Sequence, residues 1–331
     1  MTPSSAAGDP TPQAVAAAVD AADARIRPYV RETPLERSPF LSREAGCEVY
    51  LKMENLQVTN TFKARGAFNA LLSLSDEDRA RGVVTASTGN HGNAMAHAMT
   101  LLGIDGEIFV ASSTSRAKLD QLEARGARLR VLDAETLAVE TAARSDAEAS
   151  GRVYISPYND SDVVAGQGTI AAELLRQLDS FDDVLVPVGG GGLIAGLAGF
   201  LKARDPGVRV TGCLPENSPV ISESVAVGEL REIPWTPSLS DATVGWAEVG
   251  SITFPMCRDW VDGWILVSEA EIAAAIRTVI GYQSVLVEGA GALSVASLLR
   301  ERDRFAGRTV VLVLSGARIP LTVLAEVLMD G

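Results

Sequence analysis

Residues 181–203 read FDDVLVPVGGGGLIAGLAGFLKA. Their first third is an apolar, β-branched run, their last third an Ala- and Leu-rich stretch, and four glycines at 189–192 join the two. A run of the first kind reads as a buried strand and one of the second as a helix. The whole is therefore a strand, a tight turn and a helix. Glycines lack Cβ atoms, so a ligand can approach their backbone closely, and the N–H groups that open a helix present partial positive charge to an anion. Gly189, Gly190, Gly191 and Gly192 are expected to hold a phosphate. A turn without a ligand would usually need only one glycine.

The same alternation runs to either side. GVVTAS (82–87), EIFVAS (107–112), VRVTGC (208–213) and RTVVLVLSG (308–316) read as buried strands, and AMAHAMTLLG (94–103) and AAELLRQL (171–178) as helices. Strands alternating with helices imply βαβ units and parallel sheets covered on both faces, hence an α/β protein. A helix is expected to start at Thr11-Pro12, where threonine caps and proline suits the first turn, after a disordered segment of about ten residues. Residues 213–255 carry five prolines and are expected to form loops over a site.

Composition narrows the function. At roughly 100–200 residues per domain, 331 residues predict two domains. A net charge of −13 argues against nucleic acid or an anionic membrane surface as partner. No run approaches the ~18 apolar residues of a membrane span, and the N-terminus lacks the pattern of a secretory signal. Cys47, Cys213 and Cys257 lie far apart with no CxxC spacing, which fits a reducing cytoplasm better than a disulfide framework or a zinc site. His91 and His97 are the only histidines, so a multi-histidine metal centre is not expected.

What the glycine turn holds is settled by its companions. Gly190, Gly192 and Ala195 satisfy the GxGxxA pattern of a nicotinamide-binding turn, with Glu216 as a candidate ribose ligand, but this pattern is weak alone and sits in mid-chain. No GK[ST] follows, so a Walker A loop is excluded. The stretch GVVTASTGNHGNAMAHAMTLLG (82–103) is a second strand, polar turn and helix, which gathers Ser87, Thr88, Asn90 and His91 where a carboxylate can bind. RTVVLVLSG ends on Ser315, at the carboxyl edge of a parallel sheet, where ligands bind.

A fourth companion is an amine. Of 29 Lys plus Arg, only Lys52, Lys63, Lys118 and Lys202 are lysine. Lys63 stands in NTFKARGAFNA (60–70). Pyridoxal 5′-phosphate with a small amino-acid substrate accounts for phosphate turn, amine and carboxylate turn together. Lysine forms the Schiff base and, once desolvated, acts as a base; arginine can do neither.

These stretches, with TPLERS, GQGTIAAEL, SDATVG, VEGAGA and LSGARI in the same order, resemble the serine/threonine dehydratases among the fold type II, tryptophan-synthase-β-like pyridoxal-phosphate enzymes. The resemblance implies two three-layer αβα domains with mostly parallel, twisted sheets. A large cofactor domain would comprise residues 1–81 and 159–331, and a small inserted domain, 82–158, would close on the substrate. It also implies that Lys63 is the Schiff-base lysine, with Phe62 packed beside the cofactor, Asn90 on its ring hydroxyl, Gly189–Gly192 on its phosphate and Ser315 at its pyridine nitrogen. Glu288, in VEGAGA, would lie near the ring. Ser87, Thr88, Gly89 and His91 would surround the substrate carboxylate, Thr88 with a catalytic part, and the enzyme would be a homodimer.

The implied activity is an ammonia-lyase, removing the β-hydroxyl of a threonine- or serine-like amino acid to give a 2-oxo acid and ammonia. The alternatives are a racemase, a β-replacement enzyme and, more distantly, a nicotinamide dehydrogenase. Thr88 stands where dehydratases of the family often have alanine and racemases serine. Leu214, Ser218 and Val220 stand where metal-dependent members carry acidic residues, so no metal is expected there. Ala242, Trp246, Ala317 and Arg318 replace smaller or neutral family residues and bear on the substrate. Arg318 would pair with a second carboxylate, as in a 3-hydroxyaspartate, or lie on the surface, the surface reading being preferred. SDATVGWAEVGSITF resembles the ectoine-utilisation dehydratase branch, so an ectoine-derived substrate is a further option.

Overall fold

A computed structural model describes residues 10–245 and 247–329. The expected disordered start falls almost wholly outside these residues, as does Trp246. The first helix is Pro12–Ile26, and the Thr11 hydroxyl accepts the Ala14 N–H at 3.2 Å, so the threonine cap and the proline first turn are as the sequence predicts.

Among the described residues, ten strands make two sheets. In chain order they are β1 (Leu35–Arg37), β2 (Glu48–Lys52), β3 (Val83–Ala86), β4 (Gly106–Ala111), β5 (Arg128–Leu132), β6 (Val153–Tyr154), β7 (Asp183–Pro187), β8 (Arg209–Pro215), β9 (Gly263–Val267) and β10 (Thr309–Val313). The larger sheet has the order β1-β2-β10-β7-β8-β9 and the smaller β5-β4-β3-β6. Every pairing is parallel except that of β1 with β2 at one edge. All strands of the smaller sheet come from residues 83–154.

Burial follows the period of two that a strand imposes. Along β10, Val311 and Val313 pack with Val184 and Val186 of β7 into a core shared with the helices Pro12–Ile26, Ser161–Gln177 and Gly192–Arg204. Val310 and Leu312, with Leu185, point the other way into a second core under the helices Glu269–Gln283 and Gly289–Arg300. The smaller sheet does the same: Val83, Ile108 and Val110 face the helix Asn90–Leu102, while Val84 and Phe109 join Val139, Ala143 and Ala147 of the helix Thr136–Ser150. A sheet covered on both faces exposes no alternating polar stripe, which is why its strands are continuous Val/Leu/Ile runs. Each sheet is therefore the middle of an αβα sandwich, the fold type II architecture.

A cluster of buried charges lies beneath the larger sheet. Lys52 closes β2 and is fully buried, and its Nζ donates to Glu173 Oε2 at 2.5 Å, to the Thr33 carbonyl at 2.9 Å and to Gln177 Oε1 at 2.9 Å. Arg65 is equally buried and forks between Glu54 and Glu173, at 2.8 Å to each carboxylate. Two cations thus meet two carboxylates away from water, tying β2 and the segment 54–56 to the helices Lys63–Ser73 and Ser161–Gln177.

Candidate active site

The loops that leave the carboxyl ends of β3, β7 and β10 carry three turns: Ser87–His91, Gly189–Gly192 and Ser315–Gly316. In a parallel sheet these ends collect ligand-binding loops because each strand hands over to a helix N-terminus there.

Lys63 is brought to this edge by backbone pairing. Thr61 bridges Gly316 in antiparallel fashion, and the Phe62 N–H donates to the Ser315 carbonyl at 3.1 Å, so the chain is clamped against the end of β10 one residue before Lys63 starts its helix. The Lys63 Nζ donates to the Pro157 carbonyl at 2.7 Å and lies 5.1 Å from the centre of the Phe62 ring. No carboxylate lies within ion-pair distance of it among the described residues. Burial without a counter-charge disfavours the ammonium form, and the Lys63 amine is lowered to about 8.

The glycine turn is built for a ligand and closely packed behind. Gly191 has φ +86°, the left-handed conformation that favours glycine. A Cβ on Gly190 would stand 2.5 Å from the Tyr158 ring. The N–H groups of residues 189–193 have no hydrogen-bond partner among the described residues, while the Gly190 carbonyl accepts from the Thr253 hydroxyl at 2.7 Å. Main-chain donors are almost always satisfied. A row of free ones at a helix start is what a phosphate would fill.

Asn90 and Glu288 form one connected group with the main chain of Gly316 and Arg318. Asn90 Nδ2 donates to Glu288 Oε1 at 2.7 Å, Glu288 Oε2 accepts the Arg318 N–H at 2.8 Å, and the Glu288 N–H donates to the Gly316 carbonyl at 3.0 Å. A Cβ on Gly316 would stand 2.6 Å from Glu288 Oε1, so glycine is needed there for the carboxylate to lie against the strand end. Burial raises the Glu288 carboxyl above its ordinary range, against the lowering effect of its Asn90 and Arg318 bonds. Ser315 is buried beside it.

The turn after β3 is half-buried at Ser87, Thr88 and Gly89, and Ser87 Oγ accepts the Gly89 N–H at 3.3 Å. His91 is deeper. Its Nε2 lies 3.1 Å from Thr85 Oγ1, whose own proton goes to the Ile155 carbonyl at 2.8 Å, so Nε2 must carry the hydrogen and donate. Nδ1 is then a bare lone pair, buried and without a partner among the described residues. Burial first, and the Lys63 charge second, lower the ring to about 3, so the imidazole is neutral. A neutral ring offering a lone pair attracts a donor, not a carboxylate; the acceptor role of His91 is visible only once Thr85 and Ile155 are in place.

Sequence reasoning missed three participants: the Pro157 carbonyl on the Lys63 amine, Tyr158 over the glycine turn, and Glu248. The Glu248 N–H donates to the Tyr158 hydroxyl at 2.8 Å, and its side chain takes Arg144 at 2.7 Å and Asn159 at 2.8 Å, fastening the irregular segment before Thr253 across the site. Nothing in SPYND (156–160) signals this. Glu216, the candidate ribose ligand, is bound instead to Arg300 at 2.9 Å. Leu214, Ser218 and Val220 are buried, and no group of three or more His, Cys, Asp or Glu among the described residues could hold a metal ion.

Comparison with known proteins agrees with this geometry. The chain is 38% identical over 308 residues to an L-threonine ammonia-lyase of Thermotoga maritima, covering 92% of this chain and 76% of that protein. Among solved structures, the processed form of threonine deaminase isoform 2 from Solanum lycopersicum superposes with a TM-score of 0.91 at 32% identity, over 96% of this chain and 87% of that one. Maize serine racemase superposes with a TM-score of 0.89 at 31% identity, over 95% and 97%. The model of the pyridoxal-phosphate dependent enzymes matches residues 26–316, from the end of the first helix to the Gly316 that pairs with the Lys63 loop. An uncompensated lysine amine, a row of free N–H groups and this match say one thing: the chain belongs to the pyridoxal-phosphate dependent enzyme family.

Proposed function

We propose that the chain is an ammonia-lyase acting on a β-hydroxy amino acid of the threonine or serine type, with Lys63 as both cofactor anchor and base. The carrying observation is the Lys63 amine, half-buried, with no carboxylate within ion-pair distance among the described residues and lowered to about 8, so that about a tenth of it is unprotonated at pH 7, far more than of an ordinary lysine. The residues present fit the cofactor: free N–H groups at 189–193 match a phosphate, and the amine matches an aldehyde. Bound pyridoxal phosphate supplies that aldehyde and an electron sink for the bond broken at Cα.

The rest falls to the protein. Gly189–Gly192 hold the phosphate through main-chain N–H groups, and Asn90, itself fixed by Glu288, positions the ring. Ser315, a hydroxyl rather than a carboxylate, would be the residue at the ring nitrogen of the bound cofactor and would supply no anion to hold a proton there. Ser87, Thr88 and Gly89 receive the substrate carboxylate at the start of the helix Asn90–Leu102. Lys63 takes the Cα proton, and as the Cβ–O bond breaks the protonated Lys63 amine gives a proton to the departing hydroxyl, which leaves as water; hydrolysis of the enamine product then releases a 2-oxo acid and ammonia. A positioned base of this kind contributes typically 10²–10⁴-fold. His91 Nδ1 accepts a hydrogen bond from a donor brought by the ligand or by Lys63.

Residues 82–158, which contain the smaller sheet, act as the part that closes on the substrate. A homodimer is supported by exposed apolar side chains near the C-terminus, with Leu321 81% and Met329 75% exposed. Three free, buried cysteines fit a cytoplasmic location, and no helix among the described residues is long and apolar enough to cross a membrane. The test is borohydride reduction of the purified enzyme followed by peptide mapping, with ammonia, 2-oxo acid and optical rotation measured on L-threonine and L-serine. An adduct on Lys63 and release of ammonia are expected. Optical inversion without ammonia would replace the lyase with a racemase.

A further inference from the structure

Two neighbouring segments set the position of the glycine turn. Gly190 and Gly192 turn toward Tyr158: an added Cβ on the first would stand 2.5 Å from the tyrosine ring, and one on the second 3.0 Å from the tyrosine Cβ. Gly189 and Gly191 turn toward the segment 243–253, where an added Cβ would meet Thr243 Cα at 3.1 Å and Thr253 Cβ at 3.2 Å respectively. Thr253 also donates its hydroxyl to the Gly190 carbonyl at 2.7 Å. The N–H groups offered to a phosphate are thus aimed by two walls packed at contact distance, and a shift of either wall moves them.

Both walls meet at Glu248. Its N–H donates to the Tyr158 hydroxyl at 2.8 Å, its Oε2 accepts from Asn159 Nδ2 at 2.8 Å, and Asn159 Oδ1 accepts the Ile252 N–H, next to Thr253, at 2.9 Å. The same carboxylate oxygen takes Arg144 at 2.7 Å. Arg144 belongs to the helix Thr136–Ser150, which covers one face of the smaller sheet. Its guanidinium lies 4.2 Å from the centre of the Tyr154 ring on β6 and also pairs with Glu140 at 3.0 Å. One carboxylate therefore joins the smaller-sheet unit to both walls of the glycine turn.

A second ion pair, Lys118 with Asp241 at 3.3 Å, crosses from this unit to the start of the same segment, but its side chains are 40% and 84% exposed. Those of Arg144 and Glu248 are each 32% exposed. An exposed pair contributes little. The less exposed pair, with a further hydrogen bond on the carboxylate and an aromatic ring under the guanidinium, is the stronger tie.

We propose that Glu248 and Arg144 are positioning residues that couple the unit of residues 82–158 to the phosphate turn, so that the turn grips a phosphate most tightly while this pair is made. The coupling rests on the phosphate reading of Gly189–Gly192 and is independent of which amino acid is the substrate. It is also reciprocal: whatever the unit does to phosphate affinity, a bound phosphate does to the unit.

The test is titration of the apoprotein with pyridoxal 5′-phosphate and with pyridoxal, which lacks the phosphate, followed by visible absorption. The proteins are the wild type, Arg144→Gln, Glu248→Ala and the double variant. The ratio of the two affinities isolates the phosphate, because a general loosening of the site weakens both ligands alike. That ratio is expected to fall about 5-fold or more in each single variant, the lower end of coupling between linked sites. In the double variant it should fall no further than in Glu248→Ala, since both changes break one pair. An unchanged ratio in the single variants overturns the proposal, and so do losses that multiply in the double variant. Amide exchange gives a reading in the wild type alone: pyridoxal phosphate is expected to protect the helix Thr136–Ser150 more than pyridoxal does, and equal protection refutes the coupling. A wild type that binds both ligands equally sinks the phosphate reading and the coupling with it, whereas a phosphate preference that the variants leave intact sinks the coupling alone.

Discussion

Lys52 and Lys63 are the same side chain eleven positions apart in the interior of one protein, and they do opposite things. Lys52 has a carboxylate, a carbonyl and an amide on its three protons. Lys63 has one carbonyl. Burial lowers both amines, but Glu54 and Glu173 pull Lys52 back up, and nothing pulls Lys63 back. Burial pushes Glu173 up as well, and Arg65 and Lys52 more than reverse it, leaving it at about 2. A saturated buried charge holds helices in place; an unsaturated one is reactive.

The largest test of this contrast is to remove each amine. Lys63→Ala is expected to cut ammonia release by at least about 10³-fold, the scale of a lost base and covalent anchor together, with little change in urea unfolding. If Lys52→Ala instead abolished the borohydride adduct, the assignment would be reversed. Next comes Glu173→Gln, which leaves Arg65 and Lys52 short of a counter-charge. Breaking one partner of a buried pair costs about 3–5 kcal/mol, read as a lowered urea midpoint. The same cluster sets an acid limit: because the folded Glu173 sits near 2 and an unfolded glutamate near ~4.3, its contribution is complete above the unfolded value and is lost as pH falls from there through about 2.

A smaller effect sharpens the contrast at Lys63 itself. In apoprotein, its labelling by an amine reagent is expected to have a midpoint near pH 8, well below that of an ordinary lysine. A midpoint at the ordinary value would mean that the amine is solvated. Gly190→Ala, whose new methyl meets the Tyr158 ring, is an overpacking change of about 1–3 kcal/mol and should weaken cofactor retention on dialysis. Smallest of all is Glu48→Gln, which breaks the exposed Arg37–Glu48 pair and should leave the unfolding midpoint where it is.

Much of this molecule is legible from local sequence because its signals are local. VLVPV followed by four glycines and an apolar helix carries its own reading, and so do Thr11-Pro12 and the run RTVVLVLSG. The candidate site is legible in part for the same reason, since each turn announces a ligand chemistry next to its own strand. Arg65 and Lys52 give no such sign: each reads as an ordinary charge, and only the crossing of the helices Lys63–Ser73 and Ser161–Gln177 shows that they share Glu173. Pro157, Tyr158 and Glu248 are likewise silent until the loop that bears them folds over the glycine turn.

Residue type and spacing by themselves determined that the chain forms parallel sheets, and they pointed to 189–192 as the turn for a phosphate and to Lys63 as the amine to watch. Those properties depend on the chemistry of a few consecutive residues. Tertiary structure alone decided which lysine meets a carboxylate and which, among the described residues, meets only a carbonyl, and which nitrogen of His91 carries the hydrogen. Each of these depends on what a distant segment brings within about 3 Å, the range over which hydrogen bonds and ion pairs act.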